Sequence, residues 1–370
     1  MKKGIAFFIQ FILFFPAFAQ VPFISTHTDY MSTQIERGFI WQHRPEEMQH
    51  IFGHPTMASV SLTQRLSGKK RWHHAYNMPQ VGAKITYLDL DSPFLGDAVG
   101  IMPFIEMRLW NTPHYQMILV PHYGFGYTSH PFHATKNPQN TAIGSLIGHA
   151  AQLQYIQRWK FHPLLALETQ FSLTHFSNGA FRMPNLGINV LSAGIGLRYQ
   201  LQEKNASVNG VAIDTAQRAL PKDWRIQVAT FGGVHSKMPP YRRKLYPQIS
   251  FQCGVVKQIS QRHILSIGLE GNYSQALKTE VKNRVQKGDL TSEVDFKQAG
   301  ITIGHELLFD KISIITQIGG YVYQPFKYHF PLYQRYGFRY YATQHLAIHL
   351  TLKTHLGVAD CNEFGLAYTF

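Results

Sequence analysis

The sequence predicts an all-β chain folded as a transmembrane antiparallel β-barrel of about 14 strands, within a range of roughly 12–16. Three observations carry that expectation. The chain opens with Lys2 and Lys3, the apolar run "GIAFFIQFILFFPAFA" and an Ala17-Phe18-Ala19 cleavage pattern before Gln20, which together predict a signal peptide over 1–19. Residues 20–370 hold no second long apolar run and the mean hydropathy is slightly negative, yet segment after segment alternates apolar and polar residues. The chain closes on "EFGLAYTF", an alternating aromatic strand with a terminal Phe370. The lack of a long apolar run excludes a helical membrane protein but not a barrel, whose strands cross with only every second residue apolar. A secreted sandwich or lipocalin-like barrel alternates too. The export segment, the many long strands and the terminal Phe favour the membrane barrel over it.

In chain order, candidate strands fall near 81–90, 99–109, 115–128, 146–158, 163–177 and 189–201, then 224–236, 247–258, 263–275, 295–308, 311–324, 333–343, 346–356 and 362–370. The alternation is clearest in 163–177, where Leu165, Leu167, Phe171 and Leu173 oppose Glu168, Gln170, Ser172 and Thr174. In 189–201, Leu191, Ile195, Leu197 and Tyr199 oppose Ser192, Gly194, Arg198 and Gln200. Leu265, Ile267, Leu269 and Tyr273 oppose Ser266, Glu270 and Asn272, and Leu346, Ile348, Leu350 and Leu352 oppose His349, Thr351 and Lys353. The last strand sets Phe364, Leu366, Tyr368 and Phe370 on one face. Segment 57–66 also alternates, and 20–80 is expected to lie partly outside the barrel. Short turns recur at "SQR", "FDK" and "TQH", and the polar stretch 202–222 reads as the longest loop. No domain boundary stands out, so 20–370 is expected to form one barrel domain. With the chain ends on the periplasmic side, counting back from the last strand places the loop 178–188 outside the cell.

Without Lys2 and Lys3 the chain carries 33 basic against 21 acidic residues, a formal charge of +12. That balance suits an anionic partner or merely charged loops. Cys253 and Cys361 are the only cysteines. In an oxidising compartment they could pair, but two inert thiols are the favoured reading.

The segment "LTHFSNGAFRMPNLGIN" (173–189) breaks the apolar pattern. His175 and Ser177 are two residues apart on one strand, so both project from the apolar, lipid-facing side. A hairpin through 178–188 would place Asn189, in register with the apolar set of the next strand, beside His175. Uncompensated polar groups in hydrocarbon cost roughly 1–3 kcal/mol or more each. Acyl transfer supplies a reason for them. A serine hydroxyl becomes nucleophilic when a neighbouring imidazole takes its proton and a third group holds the imidazole. Ser177 would attack, His175 would act as base and then acid, and Asn189 would orient the ring. The Asn178 side chain and the Gly179 backbone N–H are the expected oxyanion donors. A Ser/His pair solvated at headgroup level accounts for the same spacing.

"HFSNGAFRMPNLGIN" resembles the PagL-type lipid A 3-O-deacylases, outer-membrane barrel esterases with an H-x-S-N motif on the lipid-facing surface, and is more similar still to the related acyloxyacyl hydrolases. The detailed likeness spans about 165–200, with looser similarity at "GFIWQHR", "YNMPQVGAKITYLDL" and "TKNPQNTAIGS". The second half carries nothing diagnostic beyond its barrel pattern. The resemblance implies a catalytic pair at His175 and Ser177, an oxyanion role for Asn178, and lipid A or lipopolysaccharide of the outer leaflet as substrate. It also implies the outer membrane as location, and the terminal Phe370 resembles the signal read by the barrel-assembly machinery. The third member departs from the pattern, because those deacylases carry glutamate where this chain has Asn189. An amide holds a histidine tautomer but cannot offer imidazolium a full charge. Glu168, the nearest acid on the strand, faces the other way and lies about 23 Å from His175 at strand rise.

Elsewhere, "HH" at 73–74 and the scattered His114, His122, His130 and His133 match no metal-ligand spacing. "GFGY" at 124–127 lies within an alternating strand, and "YRRK" at 241–244 is either a phosphate-binding fork or a solvated charge cluster. The expected function is hydrolysis of an acyl ester of lipid A by a serine esterase that needs no cofactor and no metal, with no nucleic-acid partner. The rivals are an outer-membrane phospholipase and a non-catalytic porin or structural barrel.

Overall fold

The computed structural model describes residues 28–201, 223–236 and 244–370. The expected signal peptide, the 202–222 stretch and most of "YRRK" lie outside these residues. Among the described residues sixteen strands are formed, and they close two barrels rather than one. The first contains β1 (Tyr30–Ile40), β2 (Thr56–Arg65), β3 (Gln80–Asp89), β4 (Asp97–Asn111), β5 (Tyr115–Thr128), β6 (Ile147–Lys160), β7 (Leu165–Ser177) and β8 (Ile188–Gln200). The second contains β9 (Arg225–Ser236), β10 (Leu245–Gln258), β11 (His263–Ser274), β12 (Gln298–Phe309), β13 (Ile312–Tyr323), β14 (Leu332–Tyr341), β15 (Leu346–His355) and β16 (Val358–Thr369).

The expectation of one barrel of about 14 strands over 20–370 is therefore corrected to two barrels of eight. Alternation identifies strands locally, but which edges meet is a long-range matter. Here β1, from the region expected to lie partly outside, pairs along its whole length with β8, from Tyr30↔Gln200 to Ile40↔Val190. That ring is complete before residue 202. In the second barrel β16 returns to β9, pairing Leu366 with Thr230 and Thr369 with Gln227. An eight-stranded ring encloses a space that side chains can fill.

The filling is polar and ion-paired. In the first barrel Arg158 binds Glu168 at 2.7 Å and Glu106 at 3.1 Å, while Arg198 binds Glu106 at 2.7 Å. The Lys84 ammonium donates to the amide oxygens of Gln34 and Gln152, both at 2.9 Å. In the second barrel Arg335 joins Glu270 at 2.6 Å and Glu363 at 2.7 Å, and Lys353 adds a contact to Glu270 at 3.2 Å. Arg339 pairs with Glu306 in the same interior. These groups are all buried. A mouth of about 800 Å³ opens at the rim holding the start of β1 and the end of β8, and it ends on Arg158 and Arg198.

The outer surfaces are the reverse. Ile35, Phe39, Ile85, Phe171, Ile195 and Leu197 are exposed on the first barrel, and Ile249, Phe251, Leu269, Ile303, Ile318 and Leu366 on the second. Apolar outside and charged inside is the distribution of a barrel surrounded by hydrocarbon. Paired charges tolerate such an interior, whereas a single survivor of a broken pair does not. Glu168→Ala takes one of the two carboxylates from Arg158 and is expected to destabilise the first barrel by about 3–5 kcal/mol. Urea titration of the folded band in detergent micelles measures this. An unchanged midpoint would refute the structural role given to the pair.

Candidate active site

The β7–β8 hairpin sets the site. Register pairs Leu173 with Leu191 and His175 with Asn189, so the histidine and the asparagine are direct neighbours on adjacent strands. Along β7 the buried residues are Ala166, Glu168, Gln170, Ser172, Thr174 and Phe176, while Leu167 and Phe171 are exposed. His175 shares the outward set. Ser177, the last residue of β7, is itself buried under the connecting loop. Because eight is even, the first barrel's two ends share one rim, and the loop 178–187 belongs to the opposite one.

His175 Nδ1 lies 2.7 Å from Asn189 Oδ1. An amide oxygen can only accept, so the proton of this bond resides on Nδ1 and the lone pair is left on Nε2. The other end of the Asn189 amide, Nδ2, donates to His43 Nδ1 at 3.0 Å. His43 belongs to the loop after β1 and is held below the ordinary histidine pKa by burial and then by Arg44, with Glu47 acting the other way. Accepting from the Asn189 amide requires an unprotonated Nδ1, the form that this shift favours.

Ser177 is held by a residue of the loop. Asn185 Nδ2 donates to Ser177 Oγ at 2.9 Å, and Asn185 Oδ1 lies 3.3 Å from the same hydroxyl. The Asn178 backbone N–H donates to Asn185 Oδ1 at 2.9 Å, which fixes the direction of that amide. The Asn178 side chain, expected as an oxyanion donor, is instead fully buried and pins the loop, its Nδ2 donating to Ser145 Oγ at 3.0 Å and to the Arg182 carbonyl at 2.7 Å. Gly179 turns the chain at φ +61°. Gly187 has φ +83°, and a Cβ there would come 2.7 Å from His175 Cε1, so only glycine fits against the ring.

Next to the pair, Leu173 and Leu191 lead into a shallow groove of about 500 Å³ on the outer surface, walled also by Phe39, Leu119, Leu153 and Phe171. Its described walls are mainly apolar, with Arg37, Tyr155 and two serines as the polar members.

The fold thus pairs His175 with Asn189 and sets Ser177 two residues along the same strand with its hydroxyl on Asn185, while Asn178 and Gly179 lie in the adjoining turn. Two further residues escape the sequence reading. Asn185 lies within the segment already singled out, but nothing in strand periodicity distinguishes one loop asparagine from another. His43 lies 132 residues upstream of His175, and its only sign was membership of the loosely similar "GFIWQHR". Glu168 is interior and bound to Arg158, as its strand parity predicts.

Among the other features, "GFGY" is part of β5. His73 and His74 fold the 68–74 loop onto itself through Gly68. Cys253 and Cys361 are free thiols, the first exposed and the second buried. The second barrel gathers His329, His355 and Asp360 with ligand-type atoms within 4.8 Å of one another, a grouping that spacing could not show. The two imidazoles are stacked at 4.1 Å and 7°, so their in-plane lone pairs do not converge on one ion in this arrangement.

Comparison with known proteins bears on the assignment. Among solved structures, the chain is similar to Neisserial surface protein A (NspA) at 8% identity and a TM-score of 0.34, over 47% of this chain and 97% of that one. It is also similar to the KdgM porin, solved in complex with disordered oligogalacturonate, at 6% identity and a TM-score of 0.20, over 92% and 99% of the two chains. A triple mutant of the Rhodopseudomonas blastica porin matches at 8% identity and a TM-score of 0.17, over 92% and 99%. Scores this low decide nothing about site or function. No curated protein matches. Two family models do: lipid A 3-O-deacylase (PagL) over residues 56–198 and acyloxyacyl hydrolase, C-terminal domain, over residues 224–370. The first coincides with the barrel that carries the His175 site and the second with the other barrel, so most of the chain is matched, and the protein belongs to the PagL lipid A 3-O-deacylase and acyloxyacyl hydrolase family of hydrolases.

Proposed function

We propose that the protein is an outer-membrane serine esterase that removes an ester-linked acyl chain, the 3-O-acyl chain by family, from lipid A of the outer leaflet. The observation that carries the reading is the His175–Asn189 hydrogen bond, formed beside Ser177 at the head of an apolar groove on the barrel's outer surface. The acyl chain lies in that groove, which places its ester carbonyl at the rim. Ser177 Oγ attacks the carbonyl carbon while His175 Nε2 takes the hydroxyl proton. The tetrahedral oxyanion forms beside Asn185 Nδ2, already aimed at Oγ, and the Gly179 N–H, with Asn178 holding the turn that presents both. Collapse expels the sugar oxygen, which receives the proton from His175, and leaves the acyl chain on Ser177. Water, deprotonated by His175, then releases the fatty acid. A substrate that diffuses in the plane of the membrane reaches a lipid-facing site without leaving the bilayer. Export through segment 1–19 and recognition of Phe370 by the barrel-assembly machinery belong to the same proposal.

Ser177→Ala and His175→Ala are each expected to lower deacylation by a factor of about 10³ or more while the barrel still folds. Mass spectrometry of lipid A from cells expressing each form reads this directly. Acylation patterns identical for wild type and both variants would sink the proposal, and release of fatty acid from purified phospholipid but not from lipid A would transfer it to a phospholipase. Asn185→Ala removes the donor held on Ser177 Oγ, beside which the oxyanion would form, so kcat is expected to fall about 10²-fold or more with KM little changed. A loss confined to KM would instead assign Asn185 to substrate binding. Asn189→Glu supplies the imidazolium with a full opposite charge, so kcat is expected to rise. Unchanged or reduced turnover would show that the amide is no weakened substitute.

A further inference from the structure

A carboxylate beside a catalytic histidine needs no orienting, because either oxygen accepts the Nδ1 proton. An amide does. Its two ends are nearly the same size and opposite in hydrogen-bonding sense. With Oδ1 toward His175, the imidazole carries its proton on Nδ1 and offers a lone pair at Nε2. With Nδ2 toward His175, Nδ1 must accept, the proton moves to Nε2, and the ring can no longer take a proton from Ser177. Some other group has to decide which end faces the histidine.

We infer that His43 is that group: a positioning residue whose Nδ1 lone pair accepts from Asn189 Nδ2, turns Asn189 Oδ1 toward His175, and so selects the tautomer that leaves Nε2 free to act as base. The chain of contacts is continuous, from His43 Nδ1 to Asn189 Nδ2 at 3.0 Å and from Asn189 Oδ1 to His175 Nδ1 at 2.7 Å. The inference rests on the Ser177/His175 reading above and extends it by a fourth member, supplied from the loop between β1 and β2.

The arrangement has a direction in pH. The charged groups around His43 are Arg44 and Glu47 on its own loop and, across the amide, the titratable His175 of β7. While neutral, His43 accepts at Nδ1. Once protonated, it donates at both nitrogens, draws Asn189 Oδ1 to itself and turns Nδ2 toward His175. Falling pH thus removes the base twice, by protonating His175 and by reversing the amide. Partial desolvation and the neighbouring Arg44 guanidinium shift His43 below the ordinary histidine range, toward the accepting form, although the ring itself is exposed on its loop.

The test is a double-mutant cycle with the full-length protein in lipopolysaccharide–detergent micelles, following fatty-acid release against pH. His43→Lys is a donor at every accessible pH, so it is expected to lower kcat by about tenfold or more with little change in KM. His43→Gln can present an acceptor and is expected to recover activity to within a few-fold. Its acid limb should fall by about one decade per pH unit, against a steeper fall in the parent. In an Asn189→Glu background His43→Lys should cost almost nothing, because a carboxylate accepts from both sides. If His43→Lys is as active as the parent, or equally damaging in both backgrounds, the orienting role is wrong. Activity surviving in Ser177→Ala, run alongside, would instead overturn the underlying reading.

Discussion

Everything in this molecule depends on closing the backbone hydrogen-bond ladder within eight strands. A barrel surrounded by hydrocarbon has no water to satisfy a free strand edge, so each ring must return to its own first strand. The pairing of β1 with β8 and of β16 with β9 achieves this. Closure then sorts the side chains with no further choice, alternate residues going to a narrow interior and to an apolar exterior. Charges sent inward meet one another, as Arg158 meets Glu106 and Glu168, and Arg335 meets Glu270 and Glu363. Their desolvation is tolerable because it is shared.

The same register creates the candidate site. Pairing His175 directly with Asn189 puts an imidazole and an amide within hydrogen-bond reach on the outside of the barrel, at the rim where β7 ends. Polar groups placed lower on that face would be costly among Leu167, Phe171 and Leu173. At the rim they meet the loop 178–187, which brings Asn185 to Ser177 and glycine to the side of the His175 ring. In the proposed reading the chemistry sits where the apolar wall stops. The amide in place of a carboxylate has a second partner in His43, whose Nδ1 lies on Asn189 Nδ2, and the proposed orienting role rests on that contact.

Every group invoked in the chemistry comes from the first barrel. The second repeats its construction with an independent ion-pair lattice around Arg335 and Lys353. Its helix Gln275–Gln286 packs Leu277 and Val281 against Phe326, a small apolar cluster outside the strand ladder. Residues 224–370 are nonetheless matched by a family model of their own, the acyloxyacyl hydrolase C-terminal domain.

Strand identity, facing and the central pair were legible in the sequence because each is a local property. A period of two assigns Leu167 and Phe171 outward and Glu168 and Gln170 inward, and it places His175 and Ser177 on one face before any partner is known. Hairpin geometry extends that reach to Asn189, because the two strands are consecutive. Beyond the hairpin, only the tertiary structure decides. Periodicity counts strands but cannot say that β8 turns back to β1 at a separation of 170 residues between Tyr30 and Gln200, which made two barrels look like one. Nor can it distinguish Asn185 from its loop neighbours, or bring His43 across from the first hairpin to Asn189. Those contacts depend on ring closure and loop packing, and neither leaves a trace in the spacing of residues along one strand.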